Sequence, residues 1–457
     1  MTQAGSAPPG TADLGRARAF IAAIGASLVL LNLLALAAHG RWDADLGFVA
    51  VVLVQGGLYW LAVRLLPRAP SNAAILAIIV AVAAALRLSL LFEPPLHSSD
   101  IYRYVWDGRV QAAGISPYRY VPADPALAAL RDDAIFPNIN RADYAVTIYP
   151  PAAQAAFRLF TRLAETLWAM KLGWLALEAA AMLVLVRLLV RAGQPASNLL
   201  LYAWHPLPVW EIAADGHVDA GMAAMLVFAL AAWAARYRFL AGGLLALSVL
   251  FKPTTLVAIP AFWRRWDWRV PAAFALIVVV AYLPYAELDA GAFGFLPGYV
   301  GEEGIGSGQG FLLLRLIALL DLPLPQAAPF TYIAAAAVML TGLALAFVAD
   351  ERRDTVTAAR QAQMMLLTFL VLLSPNYPWY FLALVPLGCL SPWMPARLTT
   401  ISCVVLYAAP PRDAELQAVL VQSILYGIVI MTLAFDLYTH RGRAADRSLR
   451  LKPSAWS

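Results

Sequence analysis

Apolar runs of around 20 residues recur along this chain, separated by short polar turns and by one long polar interruption. Runs of that length predict helices that cross a bilayer, whereas barrel strands would give short alternating segments. The pattern predicts spans near 19–38, 47–66, 72–92, 170–190, 197–213, 217–235, 239–251, 253–263, 270–285, 328–349, 361–374, 378–391, 397–409 and 418–438, about fourteen in all. The expected fold class is all-α, a polytopic transmembrane helical bundle. Several segments are shorter than the roughly 20 residues that a straight span needs. The pairs 239–251/253–263 and 361–374/378–391 are therefore expected to hold broken or re-entrant helices, which a membrane tolerates where protein buries them or a cavity wets them.

The polar interruption runs from Pro94 to Pro151 and carries Asp100, Arg103, Asp107, Arg109, Arg131, Asp132, Asp133, Arg141 and Asp143 among tyrosines and prolines. Residues 100–113 read as a helix at the membrane surface. Asp100, Arg103, Asp107 and Gln111 fall on one stripe, and Tyr102, Trp106, Val110 and Ala113 form a mostly apolar one. Ser98 or Ser99 can cap its start. The carboxylates of the polar stripe are expected to face an aqueous cleft. Pro150–Thr166 and Gly310–Leu320 read as two further helices lying at the outer interface.

Arginine placement orients the chain. Arg16/Arg18, Arg64/Arg68, Arg187/Arg191, Arg236/Arg238, Arg264/Arg265/Arg269, Arg352/Arg353, Arg397 and Arg441/Arg443/Arg447 all fall on one side of the predicted spans. That side is cytoplasmic by the positive-inside tendency, and both termini lie there. Arg41 and Arg412 fall on the other side with the arginines of the long loop, which translocates largely regardless of charge. The loop 94–150, the turn 211–219, the Lys252-Pro253 break, the segment 286–327 and the Ser374–Pro378 turn then share the outer face.

Composition agrees. The chain is 62% hydrophobic and 13% charged, with mean hydropathy +0.70, against about 45–50% and about 25% for soluble domains. The net charge of +5 comes largely from arginines at span ends. This reads as topology, not nucleic-acid binding. No cleavage site follows the first apolar run, so 19–38 is expected to be a retained span. Cys389 and Cys403 sit in separate apolar segments and read as small core residues.

Five constellations carry candidate chemistry. His97-Ser98-Ser99-Asp100 through Arg109 places a carboxylate at a helix start, where it can act as a general base, with Arg103 one turn away to fix it or hold an anion; the same residues also read as an ion pair on a solvated face. Thr147-Ile148-Tyr149-Pro150-Pro151 reads as the turn into a helix, with Tyr149 available to line a cleft. Trp204-His205-Pro206, Glu211, Asp215, His217 and Asp219 put ionisable groups in the outer half of two spans, costly unless they face water or one another. Asp215, His217 and Asp219 also read as a divalent-cation site, though their spacing does not fix all three on one ion and Asp215 alternatively caps the next helix; no metal is expected. Phe251-Lys252-Pro253 breaks a helix, leaving Lys252 beside a new helix N-terminus suited to an anion, or snorkelling to headgroups. Ser374-Pro375-Asn376-Tyr377-Pro378-Trp379-Tyr380 opens another helix, offering Asn376 and Tyr377 to a sugar or phosphate, or its aromatics to the interfacial belt.

Together, Asp-Ile-Tyr-Arg-Tyr-Val-Trp-Asp-Gly, Gly-Ile-Ser-Pro-Tyr, Tyr-Pro-Pro, Trp-His-Pro, Phe-Lys-Pro and Ser-Pro-Asn-Tyr-Pro-Trp-Tyr resemble, in order, the motifs of bacterial GT-C glycosyltransferases. The nearest resemblance is to polyprenyl-phosphate-mannose-dependent α-mannosyltransferases of the family 87 and actinobacterial type, across about residues 72 to 391. It implies a GT-C bundle in the bacterial cytoplasmic membrane with its active site on the extracytoplasmic face. It implies a polyprenyl-phosphate-sugar donor, a glycan, glycolipid or protein acceptor, and inversion with an Asp base in the first large outer loop. That Asp is Asp100 by motif position, with Asp107 second. Lys252, Arg103 and Arg109 would hold the donor phosphate. Tyr102, Tyr149, His205, Asp215, His217, Asp219, Asn376 and Tyr377 would line the sugar and acceptor cleft.

The expected organisation is a tail 1–18, an added helical pair 19–66, a catalytic core 72–391 containing the outer loop 94–150, a helical pair 397–438 and a tail 439–457. The added pair departs from the family pattern, in which the large loop follows the first core span. No Gly-rich nucleotide fingerprint is present and no cofactor is expected. The competing reading is a transporter or flippase of polyprenyl lipid or lipid-linked sugar, motivated by the short, proline-broken helices. Against it, the polar clusters sit at one face and no repeat is evident.

Overall fold

The computed structural model describes residues 11–38, 44–66, 73–285, 291, 293–352, 354–408 and 415–450, and their regular secondary structure is helical, with no strand among them. Arg41, Arg68, Arg353 and Arg412, and the parts of the tails before residue 11 and after residue 450, lie outside the described residues.

Each predicted apolar segment coincides with helical structure, but the lengths differ from a set of fourteen equal spans. Among the described residues, six helices are long and apolar enough to cross a membrane: Gly15–Ala37, Leu46–Leu65, Leu167–Arg191, Ala328–Ala349, Thr355–Leu373 and Leu416–Thr439. Six shorter apolar helices follow the remaining pattern, including Ala73–Leu88, Asp219–Ala234 and Arg238–Phe251. The segment 197–213 is a run of short 3-10, α and π pieces, and 253–263 holds one 3-10 stretch, Pro253–Ala261. The outward surface is that of a protein solvated by lipid: Phe330, Val338 and Leu345 are 65–73% exposed on a helix whose apolar window has no buried residue.

Both predicted breaks occur. Arg238–Phe251 stops at Lys252, whose backbone is extended, and a 3-10 stretch starts at Pro253. Proline removes the N–H that the next helical turn needs. Thr355–Leu373 stops at Ser374, which takes a left-handed φ of 52° before Pro375.

The Pro94–Pro151 region is ordered and packed inward. Asp100–Ala112 is a helix, and the Oγ of Ser98, not Ser99, accepts from the Asp100 N–H at 3.2 Å. The helix packs against Pro151–Thr161 and Leu167–Arg191. A Cβ at Gly108 would meet Thr161 and the Phe157 carbonyl at 2.6–2.7 Å, so glycine permits that close approach. The polar stripe does not face water along its length. Arg103 and Asp107 are buried, their side chains joined at 2.7 Å. Gln154 donates to Asp107 and to Thr147, each at 2.8 Å. Arg103 also donates to the Ala145 carbonyl at 3.1 Å. These bonds fasten the helix to the strand-like Thr147–Pro150 run, and they satisfy charges that would otherwise be costly to bury.

Deeper in the bundle, Arg87 and Glu178 form a two-pronged ion pair at 2.7 Å per contact, and Arg87 donates again to the carbonyls of Ala83 and Ala203. This pair ties the Ala73–Leu88 helix to Leu167–Arg191.

Candidate functional site

Asp100 is the first residue of its helix and is half-buried, so its carboxylate lies at the positive end of the helix dipole, which favours negative charge. Its Oδ1 accepts from Asn140 Nδ2 at 2.8 Å. Its charge is felt at Tyr149, Asp219 and Tyr380. Burial, and then the charge of Asp100, push the Tyr149 phenol well above its ordinary value, so Tyr149 stays a proton donor.

Lys252 faces the same region. Its Nζ donates to both oxygens of the fully buried Asp219 at 2.9 Å. It also stands over the Tyr380 ring, 4.4 Å from the centroid, and 6.0 Å from that of Trp379. The helix break is what frees this lysine from the wall of the bundle. Its side chain keeps 17% exposure while its partner has none.

The 374–380 turn supplies aromatic surface. Tyr377 stacks on Trp379 with centroids 4.4 Å apart and planes 6° from parallel. Trp379 lies 4.3 Å from the His217 ring. Tyr380 shares a 2.8 Å hydrogen bond with Tyr299. The Leu296–Glu302 helix carrying Tyr299 is bound to the long loop, where Glu302 accepts from Arg141 at 2.7 Å and from Tyr144 at 2.9 Å. Arg141 and Ser374 are non-glycine residues at positive φ, strain of a kind that collects at functional sites.

Other expected site residues are engaged elsewhere. Asp107 is enclosed by Arg103 and Gln154, away from an aqueous cleft. Arg109 points into the loop, donating to Asp132 at 2.6 Å, Glu165 at 2.8 Å and the Leu130 carbonyl at 2.9 Å. His205 is buried: Nδ1 accepts from the Leu207 N–H and Nε2 pairs with Thr400 at 3.0 Å, so it caps a turn. Asn376 accepts from Gln422 at 2.7 Å on the C-terminal helix. Tyr102 is half-buried against the core. Asp215 does not cap the helix after it. Its Oδ1 accepts from the N–H groups of Leu96 and His97 at 2.6 and 3.1 Å, and so pins the start of the long loop. The trio Asp215, His217 and Asp219 is not brought together as one donor set, because Asp219 turns to Lys252. Glu211 takes its place beside Asp215 and His217.

Tyr299 and Asn140 were not singled out from the sequence. Their places are set by distant partners, Tyr380 for Tyr299 and Asp100 for Asn140, and neither belongs to a local motif.

Residues 15–267 match the family model described as alpha-(1->6)-mannopyranosyltransferase, N-terminal domain, which is more than half of the chain. The matched region contains Asp100, Asn140, Tyr149, Asp219 and Lys252, while Tyr299, Tyr377 and Tyr380 lie beyond it. No curated protein and no solved structure matches the chain.

Proposed function

Since the chain belongs to the alpha-(1->6)-mannopyranosyltransferase family, and is therefore a membrane mannosyltransferase, we propose that it takes mannose from a polyprenyl-phosphate-linked donor and transfers it, with inversion, to an acceptor hydroxyl on the extracytoplasmic face. The observation that carries this reading is that Asp100, at a helix start and held by Asn140, and Lys252, over the Tyr380 ring, are both felt at Asp219, with Asp100 also felt at Tyr380.

The acceptor O–H gives its proton to the Asp100 carboxylate as its oxygen attacks the anomeric carbon. The bond from that carbon to the phosphate oxygen breaks, and its electron pair leaves on the polyprenyl phosphate. Lys252 stabilises the charge gathering there. Tyr149, Tyr377 and Tyr380 contact the sugar, with Tyr149 as a donor. Arg103 is engaged by Asp107 and the Ala145 carbonyl, and Arg109 by Asp132 and Glu165, so their part is to hold the loop that presents Asp100, and Asp107 belongs to the same scaffold. A lipid phosphate is an adequate leaving group, so the reaction requires no nucleotide.

Purified protein in proteoliposomes, given synthetic polyprenyl-phospho-mannose and a mannoside acceptor, is expected to form a new glycosidic bond of opposite anomeric configuration to the donor, read by mass spectrometry and proton NMR. Transfer from GDP-mannose alone, or movement of the lipid-linked sugar across the bilayer with no new bond, refutes the reading.

A further inference from the structure

A second group of ionisable side chains lies next to this site and takes no part in the proposed transfer. Glu211, Asp215 and His217 each offer one ligand atom, and all three atoms lie within 4.8 Å of one another. The residues are 1%, 2% and 1% exposed. The backbone is built to converge them. Val209–Ala214 is a π-helical turn, a widened form that recurs at functional sites. Gly216 then takes φ +70°, and the His217 N–H returns to the Glu211 carbonyl at 2.9 Å. A side chain at position 216 would overlap Ile101. The wide turn sets Glu211 and Asp215 on one side, and the glycine swings His217 toward them.

Two buried carboxylates this close need positive charge. The neighbouring lysines are felt at Asp215 and Glu211, but their hydrogen bonds go elsewhere. Lys171 donates to the carbonyls of Leu90 and Glu93, and Lys252 is bound to Asp219. Glu211 receives the Tyr407 hydroxyl at 3.0 Å on each oxygen, and Asp215 receives two backbone N–H groups. These neutral donors orient the carboxylates without neutralising them. His217 Nε2 is buried with no hydrogen-bond partner, 3.5 Å from Glu211 Oε2, which is long for an N–H···O bond. Two ligand atoms, each about 2.1 Å from one tetrahedral ion, stand about 3.4 Å apart. The His217–Glu211 separation fits a shared ion better than a direct bond.

We propose that Glu211, Asp215 and His217 bind one divalent first-row transition-metal ion. An imidazole with two carboxylates suits Zn²⁺ or Mn²⁺, whereas Mg²⁺ and Ca²⁺ take all-oxygen shells. His97 Nδ1, 3.8 Å from Asp215 Oδ2, stands near enough to complete the set. Its ring lies against Phe48 and Tyr407, and Tyr407 is also the group that orients Glu211. The ion's role is positional: it locks the 209–217 turn, and with it the His217 ring that backs Trp379. Metal binding does not depend on the donor or acceptor, so the two readings fail separately.

The test uses the full-length protein in detergent, stripped with EDTA, dialysed into metal-free buffer and reloaded with Zn²⁺ or Mn²⁺. Mass-spectrometric metal analysis is expected to find about one ion per chain, with a raised unfolding midpoint that EDTA reverses. H217A and E211Q are expected to retain less than about a tenth of that metal while eluting as the wild type does. Electron paramagnetic resonance of the Mn²⁺-loaded wild type is expected to show coupling to an imidazole nitrogen; this readout needs no variant to fold. Absence of bound metal, equal loading of both variants, or a Mn²⁺ signal without nitrogen coupling overturns the proposal.

Discussion

Replacing Lys252 by Met separates its pairing with Asp219 from its proposed role at the leaving phosphate. Its Nζ sits 2.9 Å from both oxygens of a fully buried Asp219. Removing it strands that carboxylate, and breaking a buried pair from one side costs about 3–5 kcal/mol of stability. The catalytic loss is calculable on the same geometry. A leaving phosphate about 4 Å from the ammonium gains about 4 kcal/mol at an effective dielectric of about 20. The Asp219 carboxylate, about 7 Å from that phosphate, opposes it by about 2.4 kcal/mol. The intact pair therefore favours the leaving group by about 1.8 kcal/mol, or roughly 20-fold in rate. K252M alone loses the whole attraction and keeps the repulsion, so single-turnover transfer falls about 1,000-fold. K252M/D219L removes both charges. Its unfolding midpoint, read by intrinsic tryptophan fluorescence, is expected to recover, while transfer stays about 20-fold below wild type. A double variant that regains both stability and full transfer would show that Lys252 serves only to neutralise Asp219.

Asn140→Ala removes the hydrogen bond that fixes Asp100, so kcat should fall about ten- to a hundredfold, the equivalent of about 1.5–3 kcal/mol for a bond to a charged group, with KM little changed; an unaltered kcat would detach Asn140 from the base. Glu178→Ala leaves Arg87 unpaired in the bundle and should destabilise by about 3–5 kcal/mol, with R87M/E178L recovering most of it. If the single variant melts like wild type, the pair is not structural. In the outer loop, partial burial raises the Asp132 carboxyl, but the hydrogen bond from Arg109 and the N–H groups of Ile135 and Phe136 outweigh it and hold the group below its ordinary value. A carboxylate lowered in this way stabilises fully above its unfolded value of about 3.9, and that contribution is lost as the pH falls through the lower folded value. Asp132 is 37% exposed, so the effect stays below about 1 kcal/mol. Protease nicking within 113–150 should rise on acidification in the wild type, and D132N should nick equally at neutral and acid pH. A wild-type loop indifferent to pH would remove Asp132 from the clasp.

Apolar run length placed the six long apolar helices, because a bilayer demands it of the sequence directly. The breaks at Lys252-Pro253 and Ser374-Pro375 were equally readable, since proline acts locally. The facing of Asp100–Ala112 was not. Periodicity put Asp100, Arg103 and Asp107 on one stripe, but only Gln154, 47 residues beyond Asp107, decides that Asp107 is enclosed while Asp100 stays open. Arg87 and Glu178, 91 residues apart, each look like a stray charge in an apolar run until the fold joins them. Glu211 shows the same limit. Its partnership with Asp215 and His217 depends on a π turn and on Gly216, and a widened turn leaves no spacing signature that distinguishes it from an ordinary helix. Lys252 drew attention as an anion holder, yet its bidentate hold on Asp219 required coordinates.

The most direct test of the account compares wild type and D100N in one proteoliposome assay that measures donor binding and single-turnover transfer together. Asp100→Asn keeps the size of the side chain and its place beside Asn140, but it cannot accept the acceptor's proton. Binding of polyprenyl-phospho-mannose is expected to be unchanged and transfer reduced by about 10²-fold or more, the span of a lost general base. Transfer by D100N at the wild-type rate would contradict it.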